Sequence, residues 1–221
     1  MTKSRGFKGK NRYIMAFLIG TALFVLVFVA SYYISYGELY KASAFQDQAA
    51  YSFLEKRLGY TFFNKSICDE EKFEEMGEDL AFSGQRIAAL EERLGENHEA
   101  VLERKKIYSL LQLEHFRFLE IYSKKCNKET NSILFFYTNE EKDSLINTQT
   151  ESDLAGRVLS KINQERDDLY VYSFDVNLNT SLMEDLRQKY DVRREEAPVA
   201  IVNEEEEILN FEREIIENSL N

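Results

Sequence analysis

The chain has 221 residues, 30% of them charged and 44% hydrophobic, which is the make-up of a folded protein with one or two small domains. Its formal charge is −11, and the first twelve residues hold Lys3, Arg5, Lys8, Lys10 and Arg12 with no acid, so the remainder carries 23 basic against 39 acidic residues, a formal −16. A surface of that sign repels phosphate backbones and argues against nucleic acid as a partner. Two His and two Cys are too few for the common structural zinc sites, so no metal and no cofactor are expected.

From Tyr13 to Tyr36, "YIMAFLIGTALFVLVFVASYYISY" contains no charged residue. As a helix rising 1.5 Å per residue it reaches roughly 35 Å, enough to cross the hydrocarbon core with some tilt. Tyr13 stands at one end, with Tyr32, Tyr33 and Tyr36 at the other, where amphipathic rings favour the water interface. The rival reading is a cleaved signal peptide, but such apolar regions are shorter, and Ala42-Ser43-Ala44 lies far beyond the run. The expectation is a transmembrane helix over 13–36, with the basic leader 1–12 in the cytoplasm by the positive-inside rule. Residues 37–221 then lie outside the cell membrane.

Residues 37–67 read as a helical linker with "YTFF" interrupting it. Next comes a seam, Phe73, Met76, Leu80, Ser83, Ile87, Leu90 and Leu94, with the alternating three-and-four spacing of a helix in a coiled-coil-like pair. "GENH" (Gly95 to His98) marks a turn. A second helix follows to about Lys124, with Val101, Arg104, Tyr108, Leu111, His115, Phe118 and Tyr122 on the matching stripe. Leu110, Leu113, Phe116, Leu119 and Ile121 add further apolar faces, so this helix is expected to pack on a second element too. The midpoint of Cys68 and Cys126 is residue 97, inside the turn, and helices of equal length bring both cysteines to the base of a 68–126 hairpin. A structural disulfide fits an oxidising exported location. A free buried pair and a redox-active pair are the alternatives.

Downstream, "SILFFYT" (Ser132 to Thr138) suits a central strand, and Leu154, Val158, Leu159 and Ile162 mark one face of a helix. A strand at Leu169–Phe174 follows, parallel to the first because the crossover is long. Ser181 and Glu184 have capping-box spacing for a helix that presents Leu182, Met183, Leu186 and Tyr190 inward. "APVAIVN" (Ala197 to Asn203) is a strand opened by the only proline in the chain. "EILNF" returns as an antiparallel edge, and a short helix closes the chain.

This order, β-α-β-α-β-β-α with a lone proline opening the third strand, resembles the thioredoxin-like fold over about residues 131–221. The fold class is thus α/β with a central mixed sheet, preceded by a transmembrane helix and a helical hairpin. The whole layout resembles a set of microbial membrane-tethered proteins. The resemblance implies a cis Ala197–Pro198 peptide and a partner surface beside Pro198, where catalytic relatives hold substrate. It also places the C-x-x-C slots of redox-active members near Gln149 and Ser152. No cysteine lies between Asn127 and Asn221, and neither Gln nor Ser forms the thiolate that attacks a disulfide.

No G-x-S-x-G elbow, phosphate loop or H-E-x-x-H helix is present. His115 reads as a packed core histidine, and Glu204 to Glu207 as a solvated turn between strands. The long loop from Asn139 to Glu151 is either a binding loop or a solvated insertion. No catalytic residue is expected. The function that follows is a non-enzymatic adaptor or scaffold, anchored in the lipid bilayer and engaging an envelope or membrane protein. Ala197, Pro198, Gln149 and Ser152 are its candidate binding residues. The alternatives are a membrane-anchored thiol-disulfide oxidoreductase using Cys68 and Cys126, and a helical-hairpin module for homo-oligomerisation.

Overall fold

The computed structural model describes residues 12–34, 55, 67–140 and 148–220. The leader up to residue 11, nearly all of the 37–67 linker and residues 141–147 of the long loop lie outside the described residues. The chain divides into two compact units, Met1–Ala44 and Phe45–Asn221.

In the first unit, α1 (Arg12–Ile34) is a 23-residue helix long and apolar enough to cross a membrane. Its side chains are exposed throughout. The Thr21 hydroxyl donates to Phe17 O at 3.0 Å, so even this polar group is satisfied within the helix, as an apolar surrounding requires.

The second unit opens with α2 (Glu70–Leu94) and α3 (Glu99–Cys126). Gly95, at φ 89°, ends α2 in a conformation that side-chain-bearing residues avoid. Three residues on, His98 caps α3 by accepting a hydrogen bond from Ala100 N at 3.2 Å. The seam follows the spacing over Phe73, Met76, Leu80, Ser83, Ile87 and Leu90, all buried, while Leu94 at the end of the helix is only half-buried. Opposite them Val101, Leu111, His115, Phe118 and Tyr122 are buried on α3. At Gly84 the helices approach so closely that a Cβ would lie 2.6 Å from the Tyr108 hydroxyl.

The remaining elements are β1 (Asn131–Tyr137), α4 (Thr148–Glu165), β2 (Leu169–Asp175), α5 (Ser181–Lys189), a 3-10 turn (Arg194–Glu196), β3 (Val199–Val202), β4 (Glu206–Ile208) and α6 (Arg213–Ser219). The strands line up in the order β2-β1-β3-β4. β1 runs parallel to β2, from Asn131 beside Leu169 to Tyr137 beside Asp175. β3 is antiparallel both to β1 and to β4. Asn203 and Glu204 take positive φ, and Glu205 N bonds Val202 O at 3.0 Å. Val202 pairs with Glu206, so the hairpin connection is the three residues Asn203, Glu204 and Glu205. Of the acidic run, Glu204 and Glu205 sit in this turn, whereas Glu206 and Glu207 belong to β4.

Successive strand residues face opposite sides, and here both sides are covered. Leu134, Phe136, Tyr172, Phe174 and Ile201 pack with Phe73, Met76 and Leu111 of the hairpin and with Met183 and Leu186 of α5. Ile133, Phe135, Ala200 and Val202 pack with Ala155, Leu159 and Ile162 of α4 and with Ile216 of α6. Being buried on both faces is what makes "SILFFYT" a continuous apolar run. The hairpin and the sheet, which the sequence presents as successive segments, thus share one core.

Three expectations shift. Leu154 is 53% exposed and Ala155 takes its place under the sheet, a rotation of α4 by one residue. Leu110 is 56% exposed and Ile121 also faces outward, since the sheet covers only one further face of α3. The cap of α5 is Thr180, whose hydroxyl accepts from Met183 N, one residue earlier than the Ser181 and Glu184 spacing suggests.

Candidate functional site

α4 begins at Thr148, so Gln149 and Ser152 occupy its first turns. The side chain of Gln149 lies outside the described residues. Ser152 is buried, and its hydroxyl accepts a hydrogen bond from Thr138 N at 3.2 Å. It ties the start of α4 to the end of β1 and does not line the neighbouring cleft. The two cysteines are bonded to each other, with their Cα atoms 5.5 Å apart. Cys126 packs against the hairpin side of the core.

On the other side lies an open cleft of about 580 Å³, bounded by α4, the turn before β3 and the segment after β4. Ala197 and Pro198 line it, and the peptide bond between them is cis. Its apolar lining comes from Leu154, Val158, Pro198, Leu209 and Phe211. Leu209 is 62% exposed, so with Leu154 it offers side-chain surface to anything entering. The rim is acidic: Glu151, Glu195, Glu196 and Glu212 border the cleft, with no lysine or arginine among its lining residues. Glu196 is bridged by Arg193 just outside, and that hydrogen bond holds its carboxyl below the usual range. Of the four sequence-predicted binding residues, the cleft therefore unites Ala197 and Pro198. Leu154 and Leu209 were missed because apolar periodicity assigns such residues to a core.

A second group of polar side chains joins α3 to β2. Lys105 lies 2.5 Å from a Glu91 carboxylate oxygen and 3.1 Å from Asp175, and is itself buried. One turn pair further on, Gln112 bonds the main chain of Ser173, and His115 Nδ1 sits 2.7 Å from the Tyr172 hydroxyl. Burial pushes the Tyr108 hydroxyl up to about 12. It raises Tyr172 well above its ordinary value, and Tyr137 likewise, with the Asp175 and Glu91 charges adding to the effect. Burial also drives His115 down to about 4, opposed by a hydrogen bond with the Phe73 backbone. Near neutral pH His115 is thus unprotonated and the tyrosines keep their protons, which suits packing and not proton transfer.

Among the described residues no group of three or more His, Cys, Asp or Glu side chains is arranged to hold a metal ion. Glu204, the first of the acidic run, accepts hydrogen bonds from Lys189 and Tyr190. What the arrangement offers chemically is an apolar cleft with an acidic border, beside a helix start that carries no thiol. Comparisons with family models, with curated proteins and with solved structures find no match to this chain.

Proposed function

We propose that this protein is a non-catalytic, single-pass membrane protein that presents a thioredoxin-like domain outside the cytoplasm as an adaptor or scaffold. The observation that carries the reading is at Ser152. Where redox-active relatives of that fold hold a thiol, this chain has a buried hydroxyl occupied by Thr138 N, next to an open cleft bordered by Pro198. The fold assignment draws support from the strand order β2-β1-β3-β4 with β3 antiparallel to its neighbours, and from the cis bond ahead of β3. Anchoring draws support from α1 and from the five bases that precede its apolar run. A membrane or envelope protein is the partner this reading requires, docking at the cleft or on the outer face of the hairpin near Leu110.

The oxidoreductase reading has one observation in its favour, the solvent exposure of Cys68. Photo-crosslinkers placed at Leu209 and at Leu110 in the full chain, irradiated in native membranes, test the adaptor reading. A discrete protein adduct at either position is the expected result. The absence of any adduct at both positions sinks it.

A further inference from the structure

We propose that Asn179 is an N-glycosylation site, taking its sugar from a lipid-diphosphate-linked oligosaccharide. The proposal rests on the reading above in one respect, that residues 37–221 lie outside the cytoplasm, where such transfer takes place. Asn179-Thr180-Ser181 is an N-x-S sequence without proline at its centre. Sequences this short recur by chance, and it is the local structure that carries the assignment.

Asn179 lies between β2 and α5, in a segment pinned on both sides of it. Asn177 donates through its side chain to the Thr138 hydroxyl at 2.6 Å and through its backbone N–H to the Asp175 carboxylate at 3.0 Å. Leu178 is buried, and its N–H donates to Asp175 O at 3.2 Å. The Thr180 hydroxyl caps α5, accepting from Met183 N at 3.1 Å. With these groups turned to the protein, Asn179 and Ser181 are left facing water. Both are exposed, and neither side chain has a hydrogen-bond partner among the described residues.

The amide is thus available to react, and the Ser181 hydroxyl to be recognised at the third position. In the transfer the Asn179 side-chain nitrogen bonds to C1 of the first sugar and the bond from C1 to the diphosphate oxygen breaks. The lipid diphosphate leaves, and the amide gives up one proton. The product fits the folded chain, since a bulky, solubilising group on Asn179 displaces no contact. Nor does it crowd the membrane tether. Lys105, which holds Asp175 just before Asn179, is separated from Cys126 by most of α3, roughly 30 Å of helix. The linker enters beside Cys126, at Cys68. α5 packs on the hairpin side of the sheet and the cleft is bounded by α4, so the sugar leaves that docking surface clear.

The test is a peptide map, by mass spectrometry, of the full chain isolated from native membranes, together with its migration in denaturing gels. Most copies of the peptide containing Asn179 are expected to carry sugar, and the chain to migrate more slowly than Asn179→Gln. Ser181→Ala should lose the sugar although Asn179 is intact, and Ser181→Thr should keep it; far-UV circular dichroism checks the fold of each. An unmodified Asn179 overturns the proposal. So does sugar that persists in Ser181→Ala. A gel shift that survives Asn179→Gln and vanishes in Asn64→Gln would assign the sugar to Asn64-Lys65-Ser66, outside the described residues, and likewise overturn it. Protease added to intact cells separates this failure from failure of the membrane reading. Digestion of the 37–221 region with Asn179 unmodified defeats the site alone. Protection that ends on lysis, with Asn179 unmodified, defeats both.

Discussion

Gln112 on α3 and Ser173 on β2 exchange two hydrogen bonds: the amide nitrogen donates to Ser173 O at 2.7 Å, and Ser173 N donates to the amide oxygen at 2.7 Å. β2 is an outer strand of the sheet, and its outward-facing main chain would otherwise offer an unpaired edge. One side-chain amide reproduces what a neighbouring strand would supply, and so covers that edge. Gln112→Leu leaves both main-chain groups without partners, at about 1–3 kcal/mol each. Urea unfolding should therefore show a loss of about 2–4 kcal/mol, and a loss below about 0.5 kcal/mol would show that water reaches the edge instead.

Lys105 acts at the same interface. Its charge is buried between Glu91 and Asp175, and Asp175 also accepts from Asn177 N. Lys105→Met strands the buried Asp175 carboxylate, and removing one member of a buried pair costs about 3–5 kcal/mol. The double variant Lys105→Met with Asp175→Asn should recover a large part of that loss. Equal destabilisation in the two proteins would mean that packing of the lysine stem, and not charge, is what matters.

His115 makes the fold acid-sensitive. Its pKa falls from 6.5 to about 4 on burial, so the unfolded chain takes up the proton more readily than the folded one. The stabilisation is complete above about pH 6.5, declines as pH falls towards 4, and levels off below that. A shift of that size corresponds to about 3 kcal/mol. Because carboxylates titrate in the same window, the useful quantity is the difference from His115→Asn. Between pH 7.5 and pH 4, wild type should lose about 3 kcal/mol more than the variant, and parallel pH profiles would refute this.

The disulfide joins residues 58 apart in sequence and closes the base of the hairpin. Cross-linking a loop of that length stabilises by up to about 4 kcal/mol in the chain-entropy model. Cys68→Ser with Cys126→Ser should lower the midpoint of thermal unfolding while keeping the helical far-UV signal, because the hairpin shares its core with the sheet. Loss of that signal at room temperature would show that the bond is required for folding itself.

How much of this was legible follows from what each residue contacts. The Phe73 to Leu90 seam was readable because both of its helices are local and their apolar residues recur on one face. The cysteine pairing was readable for the same reason, since equal helices around residue 97 place Cys68 and Cys126 together. Lys105 and Gln112 were invisible. Polar residues do not register in apolar periodicity, and their partners Asp175 and Ser173 lie 70 and 61 residues away. On α4, Ala155 takes the core position that apolar periodicity gives to Leu154, because a short side chain also packs under the sheet and does not register as strongly apolar. That rotation turns Leu154 into the cleft. Ala197 and Pro198 were reachable from the lone proline, whereas the opposite wall at Leu209 depended on where β4 ends.

On the proposed reading the domain docks a partner and passes no electrons. Reduction of insulin by the purified full chain, with dithiothreitol as the ultimate reductant, tests it most directly. Turbidity should develop at the rate of the protein-free control. Faster precipitation that disappears in the Cys68→Ser, Cys126→Ser double variant would contradict it, and would make the exposed disulfide a working redox couple.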